Sequence, residues 1–242
     1  MPIGSRSMSN HIVTSFDEEL RRLQQMVVML GDLACRQLKG VLDAAEGSNS
    51  GVAARIIERE PEADRMEHEI EGFAIRVLAL RQPVAHDLRE VLTALRIANE
   101  LERICDYAED LAERVIALGS SGAEPLRSLA NLGRFAEKML QDALQAYSQA
   151  NIHQAQDVWN RDKALDETYT GLFRELLTYM IEDPRRISAA TQMLFMARAI
   201  ERVGDRATNI AEVVRYLVSG NLSDEERAKA DATKSIMLGP NA

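Results

Sequence analysis

The sequence predicts an all-α fold, arranged as two homologous antiparallel three-helix bundles, and three observations predict it. Apolar residues recur at helical spacing along almost the whole chain, with no period-two alternation of β-branched or aromatic residues. Clusters of Gly, Pro, Ser and Asn cut that pattern into six long pieces, three before GSSGAEP and three after it. The third piece also repeats in the sixth.

The bulk numbers agree. The chain has 242 residues, 46% hydrophobic and 28% charged, which excludes a disordered or membrane-embedded protein. Aromatics are 5%, and the apolar content is mostly Ala, Leu, Val, Ile and Met, a balance that favours helices. The formal charge of −9 argues against nucleic acid, whose phosphates require a concentrated basic face. The two cysteines, Cys35 and Cys105, form no CxxC pattern and fit a reducing cytosol. No apolar run is long enough to span a bilayer, and MPIGSRS lacks the apolar core of a signal peptide, so a cytoplasmic protein without membrane insertion is expected.

Residues 1–15 read as a flexible N-terminus. The first bundle is expected over 16–119. Its first helix carries Phe16, Leu20, Leu23, Val27, Leu30 and Ala34 at steps of three and four, and ends at GSNSG (47–51). The second helix ends at Gln82-Pro83 and the third at GSSGAEP (119–125). The second bundle is expected over 124–220. Its first helix places Leu129, Gly133, Ala136, Leu140, Ala143 and Tyr147 on one seam and breaks at Asn151-Ile152-His153. Asp183-Pro184 and Ser219-Gly220-Asn221 end the last two. In the tail, 221–242, Ser223 and Glu226 have capping-box spacing and suggest a short terminal helix.

At an offset of 99, ANELERICDYAEDLAE (98–113) lies over ARAIERVGDRATNIAE (197–212) with 7 identities in 16 positions. Among them are Glu102/Glu201 and Asp106/Asp205. At an offset of 102, Glu60 and Asp64 of EPEAD match Asp162 and Asp166 of DKALD. Each half therefore carries two helices with acids at i and i+4. Such acids share a helix face and repel by a few tenths of a kcal/mol. Two such helices side by side would gather four carboxylates, which raise one another's pKa unless something positive sits among them. All-oxygen donors suit hard cations such as Mg²⁺, Ca²⁺, Mn²⁺ or iron. The other reading has Arg103, Arg202, Arg59 and Arg161 neutralising the acids at the surface.

Catalytic constellations are missing. No Glu-x-x-His of the ferritin-like di-iron type precedes His11, His68, His86 or His153, and there is no Walker loop and no GxSxG. HDLREVL from His86 is similar to a histidine-kinase phosphoacceptor box but lacks the Thr-Pro, so His86 reads as an exposed residue early in a helix that follows Pro83. Cys105 reads as a small seam residue and Trp159 as core.

FDEELRRL, RQPVAHDLR, LERICD, RDKALDETY, the EDP turn and IERVGDRATNIAE together resemble the PhoU family of phosphate-signalling regulators, over roughly Phe16 to Val218. The resemblance implies two homologous three-helix bundles whose paired acidic motifs hold divalent or trivalent metal ions (iron, manganese, magnesium or zinc). Carried over by position, the ligands are Glu60, Asp64, Glu102 and Asp106 in the first half and Asp162, Asp166, Glu201 and Asp205 in the second. Asp110 and Asn209, one turn on, are implied as extra ligands. The second motif reads ERVGD, as the family pattern wants, whereas the first reads ERICD, so the second site is expected to be the more secure. The resemblance further implies a non-enzymatic negative regulator of the phosphate-starvation response. It would link the phosphate ABC transporter ATPase to a phosphate-sensing histidine kinase, as a homodimer held at the inner membrane through those partners. A metal-storage bundle sharing the fold is the alternative.

Overall fold

The structure, a computed structural model, describes the backbone of residues 5–119 and 126–221 and the side chains of 16–59, 61–119 and 127–221. Seven α-helices account for nearly all of it: α1 (Ser5–Glu46), α2 (Ser50–Ile57), α3 (Glu60–Arg81), α4 (Ala85–Leu118), α5 (Leu126–Ser148), α6 (Ile152–Glu182) and α7 (Ile187–Ser219). A single 3₁₀ turn at Pro184–Arg186 joins the last two. The expected tail helix from Ser223 lies outside the described residues.

Among the described residues the helices end where expected, and three of the breaks have a clear local cause. Asn49 caps α2, its Oδ1 accepting from the Val52 amide at 3.2 Å. Asn151 caps α6 by accepting from His153 and Gln154, both at 3.1 Å. Asp183 accepts from the Arg185 amide at 3.1 Å, and Pro184 opens the turn. Two differences stand out. The backbone is already helical from Ser5, ahead of Phe16. And the second expected helix is two, α2 and α3, because Pro61 sits in the first turn of α3. A proline there has no N–H to give and its ring excludes the carbonyl four residues back, so the helix cannot run through.

In the first bundle α4 packs on α1, α2 and α3; in the second α7 packs on α5 and α6. The halves meet through α4 against α7 and α1 against α5. The α4–α7 pair is antiparallel: Arg206 donates to Glu100 at 3.1 Å near its middle, while Arg114 reaches Gln192 at 3.4 Å toward one end. Seam residues such as Leu23, Val27, Leu30, Leu140 and Ala143 are fully buried.

The α1–α5 contact is reciprocal. A Cβ on Gly31 would meet the Leu144 methyls at 2.7 Å, and a Cβ on Gly133 would meet those of Leu42 at 2.4 Å. Gly31/Gly133 and Leu42/Leu144 are both related by the offset of 102. Each half thus inserts the same leucine into the same notch of the other, as in an isologous dimer interface.

Candidate metal centre

Both acidic motifs lie on central helices, where burial makes their charges expensive. On α4, Glu102 and Asp106 are one turn apart on a single face. α3 runs beside it and brings in Asp64, so that one oxygen from each of the three carboxylates lies within 4.8 Å of the others. The Glu60 side chain is outside the described residues.

Charge compensation at this triplet is incomplete. Arg103 lies 3.2 Å from Asp106 and 3.4 Å from Glu102, one guanidinium against three carboxylates. Glu102 Oε2 is buried and accepts no hydrogen bond. Burial raises the Glu102 pKa, the charge of Asp106 raises it further, and Asp64 and Glu67 add to this against the pull of Arg103. Glu67 was not foreseen from the sequence; its signal was its place three residues after Asp64, on the same face of α3.

The donor set suits a cation. A hard ion with ligand distances of about 2.0–2.6 Å has bound oxygens no more than roughly 4–5 Å apart, so the triplet needs little closure to share one. Such an ion would join Arg103 at Glu102 Oε2, which accepts no hydrogen bond.

The second-half residues are arranged differently. Asp162, Asp166 and Glu201 are 2%, 2% and 3% exposed, whereas Asp64 and Glu102, the described counterparts of the last two, are only half-buried. Thr208 donates to Asp162 at 3.1 Å, and Arg198 lies 3.3 Å from Glu201. Among the described residues, these acids and the half-buried Asp205 do not form a second converging triplet. Asp110 and Asn209 also stand apart. Arg114 grips Asp110 through two bonds of 2.8 and 3.2 Å, and Asn209 donates across the α4–α7 interface to Glu100 at 3.3 Å.

Of the arginines expected to neutralise the acids, Arg103 does so among the described residues. Arg161 binds Asp142 at 2.7 Å, and the Arg202 guanidinium lies 5.9 Å from the Tyr107 ring centre. Trp159, expected in the core, is half-buried with Arg215 5.2 Å from its ring centre. His86 is exposed, 3.3 Å from Glu90.

The departure at ERICD has a packing explanation. A Cβ on Gly204 would sit 1.9 Å from a methyl of Leu165 on α6. The repeat equivalents of Gly204 and Leu165 are Cys105 and Ala63, both buried. The first half therefore pairs a larger residue on α4 with a smaller one on α3, and the second half reverses the sizes. Burial, followed by the charges of Asp106 and Glu102, pushes the Cys105 thiol up, so it stays neutral beside the acids. Its part in the first half is volume.

The sequence model of the PhoU domain matches residues 27–115 and 129–214. A phosphate-specific transport system accessory protein PhoU homolog from Xylella fastidiosa (strain Temecula1 / ATCC 700964) is 42% identical over 233 residues, 96% of this chain and 97% of that protein. The Escherichia coli (strain K12) phosphate-specific transport system accessory protein PhoU is 35% identical over 241 residues, 99% of each. Among solved structures, PhoU from Pseudomonas aeruginosa superposes with a TM-score of 0.82 at 36% identity, covering 85% of this chain and all of that one. The phosphate transport system regulatory protein PhoU from Streptococcus pneumoniae gives 0.81 at 30%, covering 87% of this chain and all of that one.

Proposed function

This chain belongs to the PhoU family, and on that premise we propose that it is a non-enzymatic negative regulator of phosphate uptake and of the phosphate-starvation response. It acts in the cytoplasm as an adaptor, often as a homodimer, between the ATPase of a phosphate ABC transporter and a phosphate-sensing histidine kinase. It reaches the inner membrane through these partners; no helix among the described residues is long and apolar enough to cross a bilayer. The observation that carries the reading is the end-to-end alignment with phosphate-specific transport system accessory proteins.

The metal part of the proposal rests on geometry. A divalent or trivalent ion (iron, manganese, magnesium or zinc) is held by Asp64, Glu102 and Asp106, with Glu60 and Glu67 on the same stretch of α3. The ion supplies charge that fixes α3 against α4, and these helices then present a rigid surface to a partner. Convergence of one such triplet favours a regulatory ion over a reservoir, which needs many sites.

The test is genetic. In a strain lacking the gene and grown in ample phosphate, alkaline phosphatase and phosphate uptake are expected to be derepressed, and the wild-type gene is expected to restore repression. The Asp64→Asn/Glu102→Gln/Asp106→Asn variant, accumulated to the same level, is expected to fail. Rescue by that variant would remove the metal from the mechanism, and an unchanged deletion strain would remove the regulatory role.

A further inference from the structure

Equivalent motifs need not do equivalent work, and the two acid sets differ where the repeat is not identical. Glu67, Asn99 and Glu109 of the first half correspond to Tyr169, Arg198 and Thr208 of the second. At these three positions the formal charge changes from −2 to +1, a swing of three units beside acid pairs that both halves keep. All three second-half residues have a part in the packing of α6 on α7. Arg198 lies 3.3 Å from Glu201, and its guanidinium carbon is 5.7 Å from the ring centre of Tyr169, one turn beyond Asp166 on α6. Thr208 donates to Asp162 at 3.1 Å.

Carboxylates with 2–3% exposure are tolerated only when a charge or hydrogen bonds compensate them. In the first half that compensation is Arg103, exposed, beside a converging triplet, and Glu102 Oε2, like Glu201 Oε2 in the second half, accepts no hydrogen bond. In the second, where the acids do not converge among the described residues, Arg198 and the Thr208 hydroxyl supply it. A guanidinium does not deprotonate in proteins and offers five donors, so it serves as a permanent cation where a metal would be exchangeable.

We propose that the second acid set is not a metal site: Arg198 is its resident cation, and exchangeable metal is confined to Asp64, Glu102 and Asp106. This rests on the metal reading of the first set only for its second clause. The halves then divide the labour, one set responding to metal and the other holding α6 on α7 whether metal is present or not.

The experiment uses the full chain with Mn²⁺ as probe, read by electron paramagnetic resonance for bound ion and by thermal melting. Wild type is expected to take up Mn²⁺ in one class of site. Asp64→Asn/Glu102→Gln is expected to abolish that uptake, and Glu201→Gln to leave it intact. Arg198→Gln is expected to lower the melting temperature without metal. In the Asp64→Asn/Glu102→Gln background it is expected to create Mn²⁺ uptake that recovers part of the loss. Uptake by Asp64→Asn/Glu102→Gln with Arg198 present would overturn the proposal, as would an Arg198→Gln protein that melts like wild type. No uptake by wild type would instead sink the metal reading, and the Arg198→Gln melt would still decide whether arginine is the resident cation.

Discussion

Exchanging the sizes of Leu165 and Gly204 should show whether the two halves solve one packing problem in opposite ways. A Cβ at position 204 would lie 1.9 Å from a Leu165 methyl, where carbon atoms settle at about 3.5–4.0 Å. Leu165 is 1% exposed, so its methyl cannot withdraw without displacing neighbours. Overpacking of this kind costs about 1–3 kcal/mol. Replacing a helical glycine returns less than about 1 kcal/mol. Gly204→Cys alone is therefore expected to destabilise by about 1–2 kcal/mol. Leu165→Ala alone leaves a cavity and costs about 2–5 kcal/mol. The double variant installs the first half's residue types, Ala and Cys, at the equivalent positions, and it should cost less than the sum of the singles by about 1–3 kcal/mol. Urea unfolding followed by helical circular dichroism measures all four proteins, provided the m value is unchanged. Additivity within about 0.5 kcal/mol, or a Gly204→Cys protein as stable as wild type, would refute the reasoning.

Three further outcomes are expected. Burial opposes ionisation of Asp142, but Lys138 and Arg161, each at 2.7 Å, more than offset it and hold its pKa below the usual value. Its pairing therefore stabilises above the unfolded carboxyl's pKa of about 3.9 and is lost as pH falls through the lower folded value. Asp142→Asn should melt a few degrees below wild type at neutral pH, with the gap closing below about pH 4; a gap independent of pH would count against it. Thr208→Val removes the donor to the buried Asp162 and should cost about 1–3 kcal/mol, while Thr208→Ser keeps most of the stability. Chemical denaturation would show the error if the valine and serine variants were equally stable. Burial pushes the Cys35 thiol up to about 12 and raises Cys105 as well, so both should resist a thiol reagent at pH 8 until urea unfolds the chain. Rapid labelling of native Cys105 would contradict its placement.

The helices were legible because their ends are written in residues with a backbone consequence: Gln82-Pro83, Asn151, Asp183-Pro184. Pro61 carried the same signal, but the acidic pattern of EPEAD drew the reading toward charge and the break was missed. At the site, i and i+4 spacing was sufficient for Glu102 and Asp106, which differ by about 40° around the helix. It failed for Asp110 and Asn209. Eight residues from the first acid, a side chain has drifted by about 80°, enough to leave that face, so Asp110 pairs with Arg114 and Asn209 meets α4. The preference for ERVGD over ERICD as the firmer metal motif rested on the family pattern at position 105, where Cys105 itself reads as a small seam residue. The reversed sizes at the equivalent positions, Cys105 and Ala63 against Gly204 and Leu165, point to volume, which no single motif can reveal. Arg198 was hidden for a related reason. Aligning the repeats draws attention to what they share, and the charge that separates the two sets lies where they differ.

The reciprocal notches at Gly31 and Gly133 bear on how such a difference could arise. If two identical chains met through this surface, every substitution would be made at both contacts at once, and a residue suited to only one of them would be rejected by the other. Within one chain the copies mutate independently, so either can be altered while its twin keeps the shared interface intact. Covalent fusion thus converts a symmetric pair into a scaffold with a spare side, on which a binding feature can be lost, or a new charge acquired, at half the structural risk.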